Sequence, residues 1–287
     1  MSGRQRQAIV VLGMHRSGTS ALARVVTLLG AAGPAHLLEP RVDNPTGFWE
    51  SLPIANTNNV LLTAGGATPF DCLTFAAGSI DGTTLVDILE SVLQMEFGDA
   101  DLFMMKDPRL CLTLSSWLPT FASMRIRLSA LLVLRNPVEV AHSLLLREAL
   151  TAEVSALHWL RYNLDAERQT RGFSRSILFY DQLLRDWRHC MERAGREADV
   201  AWPNSSDTIA AQVDRFLRAD LRHHRASLER LPSVANHIWD WAVEVYEALR
   251  QVEQTGWDVR QLNRLDRVRE EFDEWCRRGS ASTEGLR

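Results

Sequence analysis

The sequence predicts an α/β fold, with a mainly parallel central sheet flanked by helices and a last third that is helical. Three observations predict it. Short apolar runs at 8–12, 102–105, 129–134 and 176–180 read as buried strands. Amphipathic stretches separate each run from the next, the alternation that parallel neighbours need for their crossovers. Beyond about residue 200 only helical patterns remain.

The first strand runs into Gly13-Met14-His15-Arg16-Ser17-Gly18-Thr19-Ser20, and an apolar helix follows from Ala21 to Leu29. Strand, tight loop and helix in this order aim backbone N–H groups and a helix N-terminus at one anion. Gly13 and Gly18 allow a sharp turn and close approach to a phosphate. Ser17, Thr19 and Ser20 add hydroxyls, and Arg16 adds a fixed cation. No Gly-Lys-Ser/Thr occurs, so this is not a Walker A loop.

Turn formers dominate the first half of the stretch from Gly30 to Ser51, which carries Asp43-Asn44-Pro45-Thr46-Gly47-Phe48-Trp49-Glu50. Ser51 is placed to cap a helix to about Leu62, residues 64–82 are loop-like, and a helix covers 83–96. The second strand ends at Lys106-Asp107-Pro108-Arg109. A short helix over 110–117 is expected to stop before Pro119. The third strand ends at Arg135-Asn136-Pro137, and Pro137 suits the first turn of a helix to about Leu150. Helices over 153–170 and 181–193 bracket the fourth strand, which is expected to include Tyr180.

The last third reads as helices near 207–218, 234–253 and 258–277, with a basic run Leu221-Arg222-His223-His224-Arg225 after the first. Trp239, Trp241, Trp257 and Trp275 are expected to pack between helices, and the small polar stretch from Gly279 reads as a disordered tail. The expected organisation is one domain over 1–278, with 229–278 as a helical extension and 279–287 as the tail.

A hydrophobic content of 46% supports a real core, and a net charge of −4 gives no general reason to expect nucleic acid. No apolar run approaches the roughly 20 residues of a membrane span. Cys72, Cys111, Cys190 and Cys276 lack metal-ligand spacing, so neither a metal site nor a disulfide framework is expected. Reduced thiols and no visible secretory leader suggest the cytoplasm. All but one of the 32 basic residues are arginine, and the exception is Lys106 at a strand end.

The loop from Gly13 to Ser20, Lys106-Asp107-Pro108-Arg109, and Arg135-Asn136-Pro137 with Ser143 together resemble a PAPS-dependent sulfotransferase of the bacterial type. The segment from Asp43 to Glu50 is similar to bacterial members, and the resemblance spans about residues 8–225. It implies a three-layer P-loop-like fold, 3′-phosphoadenosine 5′-phosphosulfate (PAPS) as co-substrate, its product PAP, and no metal.

By the same resemblance Gly13, His15, Arg16 and Ser17-Gly18-Thr19-Ser20 would hold the 5′-phosphosulfate, and Arg135 and Ser143 the 3′-phosphate. Lys106 would stabilise the charge that develops on transfer, with Arg16 assisting, and Tyr180 would border the nucleotide. Asp107 reads as a partner that orients Lys106 or Arg109. Cytosolic relatives place a basic histidine two residues after the lysine, where this chain has Pro108. Glu50 is the favoured base, seated by Phe48-Trp49 in a partly apolar setting, with Glu39 and His15 as alternatives. His142 is expected to be a packing residue.

Arg222 to Arg225 read either as part of the 3′-phosphate site or as an exposed basic helix end. The expected acceptor is a hydroxyl of a saccharide, lipid or secondary metabolite, with the oligomeric state left open. A P-loop-type small-molecule kinase and a catalytically silent nucleotide-binding module are the alternatives.

Overall fold

The computed structural model describes residues 5–41, 44, 46–69, 71, 82–217 and 237–284, with side chains to Arg278. Four strands form one sheet: β1 (Gln7–Leu12), β2 (Leu102–Lys106), β3 (Arg127–Leu134) and β4 (Ser174–Phe179). Their order is β2-β1-β3-β4, and every neighbouring pair is parallel. Sequence and structure therefore agree on a mainly parallel α/β sheet.

Alternate residues of each strand enter two separate cores, as the period of two requires. Val10, Leu12, Phe103, Met105, Ala130, Leu132, Ile177 and Phe179 pack on one face. Ile9, Val11, Met104, Leu131, Val133 and Leu178 pack on the other. Helix α1 (Thr19–Leu28) covers the second face with α7 (Tyr180–Arg185), α8 (Trp187–Glu197) and α9 (Asp207–Phe216). The first face carries α2 (Leu52–Ala64), α3 (Gly82–Phe97), α4 (Leu110–Ser123), α5 (Pro137–Glu148) and α6 (Ala152–Gln169). Helices α10 (His237–Thr255) and α11 (Val259–Glu284) join that same core through Trp239, Val245, Leu249 and Phe272. The result is three layers.

From β1 the chain crosses to β2 on one side, and from β3 it crosses to β4 on the other. The carboxyl ends of β1 and β3 therefore flank the point where the winding reverses, the place where open α/β sheets bind ligands.

Several boundaries differ from the sequence reading. Pro119 lies inside α4 rather than ending it. One turn earlier, the Gln169 side chain donates to Cys111 O at 2.6 Å and accepts from Ser115 N at 2.7 Å, serving two groups that a regular helix would bond to each other. The single helix expected over 181–193 is two, because Asp186 leaves the helical conformation and its side chain caps α8 through His189 N at 3.1 Å. Tyr180 opens α7 instead of closing β4. The α11 backbone continues to Glu284, past Gly279. Trp239 is buried, whereas Trp275 is 39% exposed.

Among the described residues no helix is long and apolar enough to cross a membrane. Cys111, Cys190 and Cys276 are buried and in no disulfide among the described residues, and burial pushes Cys190 up to about 11. Cys72 and the run from Arg222 to Arg225 lie outside the described residues.

Candidate functional site

The loop after β1 has the conformation that its glycines permit. Gly18 sits at φ +91° as the N-cap of α1 and supplies no side-chain acceptor to the first amides of that helix. A Cβ there would lie 2.2 Å from the Tyr180 ring, and one on Gly13 would lie 2.4 Å from Val133 O. The Ser17 hydroxyl is buried without a hydrogen-bond partner. A bare helix N-terminus and an orphaned hydroxyl beside it suit an anion.

Arg16 also has a positive φ, +67°, and its guanidinium turns toward α5, where Nε donates to Ser143 Oγ at 2.8 Å. Arg135 returns from the end of β3 and donates to Arg16 O at 3.1 Å. Its Nε is held by Glu139 at 2.9 Å, and its guanidinium lies 5.3 Å from the Tyr180 ring centroid. Asn136 caps α5 through Val138 N at 2.9 Å, which leaves it a turn-shaping role. The structure thus joins Arg16 to Arg135 and Ser143, residues that the sequence reading divides between two phosphates.

Lys106 ends β2 and is buried. Its ammonium donates to Glu50 Oε1 at 2.5 Å, Phe48 O at 3.0 Å and Ser20 Oγ at 3.2 Å. Three donors meet three acceptors. Glu50 reaches the site because Leu38 N donates to its carbonyl at 2.8 Å and Trp49 turns the chain at φ +58°. Its other carboxylate oxygen lies 3.6 Å from Arg109. The setting of Glu50 is therefore ionic, not the partly apolar one that Phe48-Trp49 suggested.

Asp107 is wholly buried and grips Arg109, accepting from its backbone N and from Nε, each at 2.9 Å. Behind it, Asn58 donates to Asp107 Oδ2 at 3.2 Å and accepts from Thr113 Oγ1 at 2.8 Å and Trp117 Nε1 at 2.9 Å. Burial alone would lower the pKa of Arg109, but Asp107 and Glu50 outweigh it and raise it. His15 Nε2 is buried without a partner. Burial first, then the Arg109, Lys106 and Arg147 cations, push this imidazole down to about 3.

One cavity of about 880 Å³ touches nearly all these groups. Its walls include His15, Arg16, Gly18, Thr19, Ser20, Glu50, Lys106, Arg135, Ser143 and Tyr180. Glu39, exposed, is also on the wall. Gly13 and Ser17 lie beneath the surface. His142 is exposed rather than packed, because the helical turn that buries Ser143 points its neighbour outward.

Arg109, Arg147, Asn56 and Asn59 also line the cavity, and of these only Arg109 lies within a sequence motif described above, which assigns it no role of its own. A signal for Arg147 was present: it stands one helical turn after Ser143 on the same face. Among the described residues no group of His, Cys, Asp or Glu is arranged to hold a metal ion.

Fold and site define a three-layer α/β protein with a cation-rich pocket at the carboxyl edge of a parallel sheet. No protein-family model matches the chain, and no curated protein matches it. Solved structures similar to it include the sulfotransferase domain of the Synechococcus PCC 7002 olefin synthase, at 16% identity over 86% of this chain and 97% of that one, with a TM-score of 0.49. The sulfotransferase domain of the curacin biosynthetic pathway aligns at 13% identity over 85% and 99%, with a TM-score of 0.44. Sulfotransferase STF1 from Mycobacterium tuberculosis H37Rv aligns at 17% identity over 73% and 71%, with a TM-score of 0.40.

Proposed function

We propose that this chain transfers a sulfuryl group from PAPS to the hydroxyl of a small-molecule or glycan acceptor, leaving PAP and a sulfate ester. The observation that carries the reading is the position of the chain's single lysine. Its ammonium lies against Ser20, in the first turn of α1, and against a buried carboxylate. Across the same loop, Arg16, Arg135 and Ser143 form a second polar cluster on the cavity wall. A donor with two separated phosphate groups needs two such sites.

The residues present fit the donor. The bare α1 N-terminus, the partnerless Ser17 hydroxyl and the space that glycine leaves at position 18 suit the 5′-phosphosulfate. Arg135 and Ser143 would take the 3′-phosphate, and Tyr180, braced against Gly18 and Arg135, would border the nucleotide. During transfer the bond from sulfur to the bridging oxygen breaks while a bond to the acceptor oxygen forms. Charge grows on the bridging oxygen, and Lys106 is the compact cation beside the loop that can answer it. Glu50 takes the acceptor's hydroxyl proton. A kinase is less well served, since the loop carries Arg16 and no Walker lysine.

Incubation with sulfur-labelled PAPS and a panel of saccharide, lipid and secondary-metabolite alcohols tests the reading. Label should pass to at least one acceptor in the presence of EDTA. Phosphoryl transfer from ATP–Mg²⁺ to the same panel, with none from PAPS, would overturn it.

A further inference from the structure

Lys106 has no donor to spare. Each of its three N–H groups has a protein acceptor, and one is the carboxylate of Glu50. If Lys106 turns to a bound donor, as the sulfotransferase reading requires, Glu50 loses its nearest cation. The groups that face this carboxylate are Lys106 at 2.5 Å and Arg109 at 3.6 Å, with Asp107 behind Arg109. At 3.6 Å the Arg109 contact is an ion pair short of a hydrogen bond.

Arg109 itself is firmly placed. Its Nε is fixed by Asp107, its NH1 donates to Asn59 Oδ1 at 3.1 Å, and the Asn58–Thr113–Trp117 cluster holds Asp107 in turn.

We propose that Arg109 is a positioning residue: it holds the Glu50 side chain in place while Lys106 engages the donor. The proposal rests on the reading of Glu50 as base and Lys106 as the transfer cation. It assigns Arg109 no contact with substrate. Asp107 and Asn58 make the Arg109 guanidinium a fixed second cation, so that the base keeps its orientation when the first cation leaves.

The test compares wild type with Arg109→Gln and Arg109→Lys. Arg109→Gln should lower kcat about tenfold or more, within the general-base contribution of roughly 10²–10⁴. KM for PAPS and Kd for PAP should stay within about threefold, while Arg109→Lys recovers most of the rate by restoring a cation. Equal losses in both variants would reduce Arg109 to a structural role. A matching loss of PAP affinity would make it a donor ligand instead. Wild type that binds no PAP would overturn the sulfotransferase reading and this inference together.

Discussion

Lys106 Nζ lies 2.5 Å from Glu50 Oε1, and both side chains are buried at the end of β2. The residue proposed to stabilise the leaving oxygen and the residue proposed to take the proton are thus partners before any ligand binds. Each holds the other's orientation.

Lys106→Arg should separate binding from transfer. A planar guanidinium cannot occupy the point between Ser20 Oγ, Phe48 O and Glu50 Oε1 that the ammonium fills. PAP affinity measured by calorimetry should change only a few-fold, while kcat falls by about 10²-fold or more. Full activity in the variant would remove Lys106 from the mechanism.

Glu50→Gln and Glu39→Gln form a matched pair. Glu50 is buried against two cations, whereas Glu39 is exposed on the cavity wall. Steady-state rates should fall about 10²-fold or more for Glu50→Gln and stay within about threefold for Glu39→Gln. The reverse order would assign the base to Glu39.

Gly18→Ala should damage both the loop and its site. At φ +91° an L-residue costs about 1–2 kcal/mol. The added methyl also meets the Tyr180 ring at 2.2 Å. Urea unfolding should show the loss, and PAP binding should weaken. The double variant Gly18→Ala, Tyr180→Ala should lose less stability than the sum of the two single variants, since the clash is gone while the backbone strain and the cavity left by the buried Tyr180 remain. Additive losses would mean that the Tyr180 contact is not what excludes a side chain.

His15 should make the fold acid-sensitive. With the folded imidazole near pKa 3 and an ordinary value of 6.5, the unfolded chain binds a proton between those limits that the folded chain refuses. Stability contributed by this group is present above pH 6.5 and lost as pH falls toward 3. Unfolding free energies at pH 7 and pH 5 should differ by on the order of 1–2 kcal/mol more in wild type than in His15→Gln. Equal differences in the two proteins would show that His15 is not the titrating group.

The sheet, the loop after β1 and the strand-end placement of Lys106 and Arg135 were legible because they depend on local signals: an apolar run, a glycine, a turn. Relations across the chain were not. Glu50 meets Lys106 over 56 residues of sequence, through a segment secured by the Leu38–Glu50 hydrogen bond, so its ionic setting has no trace in Phe48-Trp49. Arg16 turns to Ser143 across 127 residues. Pro119 reads as a stop in isolation, and only the distant Gln169 shows how α4 continues through it. The Asp186 break has a sequence signal, since Asp is a favoured N-cap residue, and its side chain accepts from His189 N. Tyr180 begins a helix because the chain turns at the strand end to place its ring over Gly18.

The most direct test of the account is thermal unfolding with PAP in the presence of EDTA, compared with ATP–Mg²⁺. The loop, Lys106 and the Arg135–Ser143 cluster together predict that PAP raises Tm in a concentration-dependent way without metal, by linkage to the folded state, while ATP–Mg²⁺ does little. Stabilisation by ATP–Mg²⁺ alone, with no shift from PAP, would contradict it.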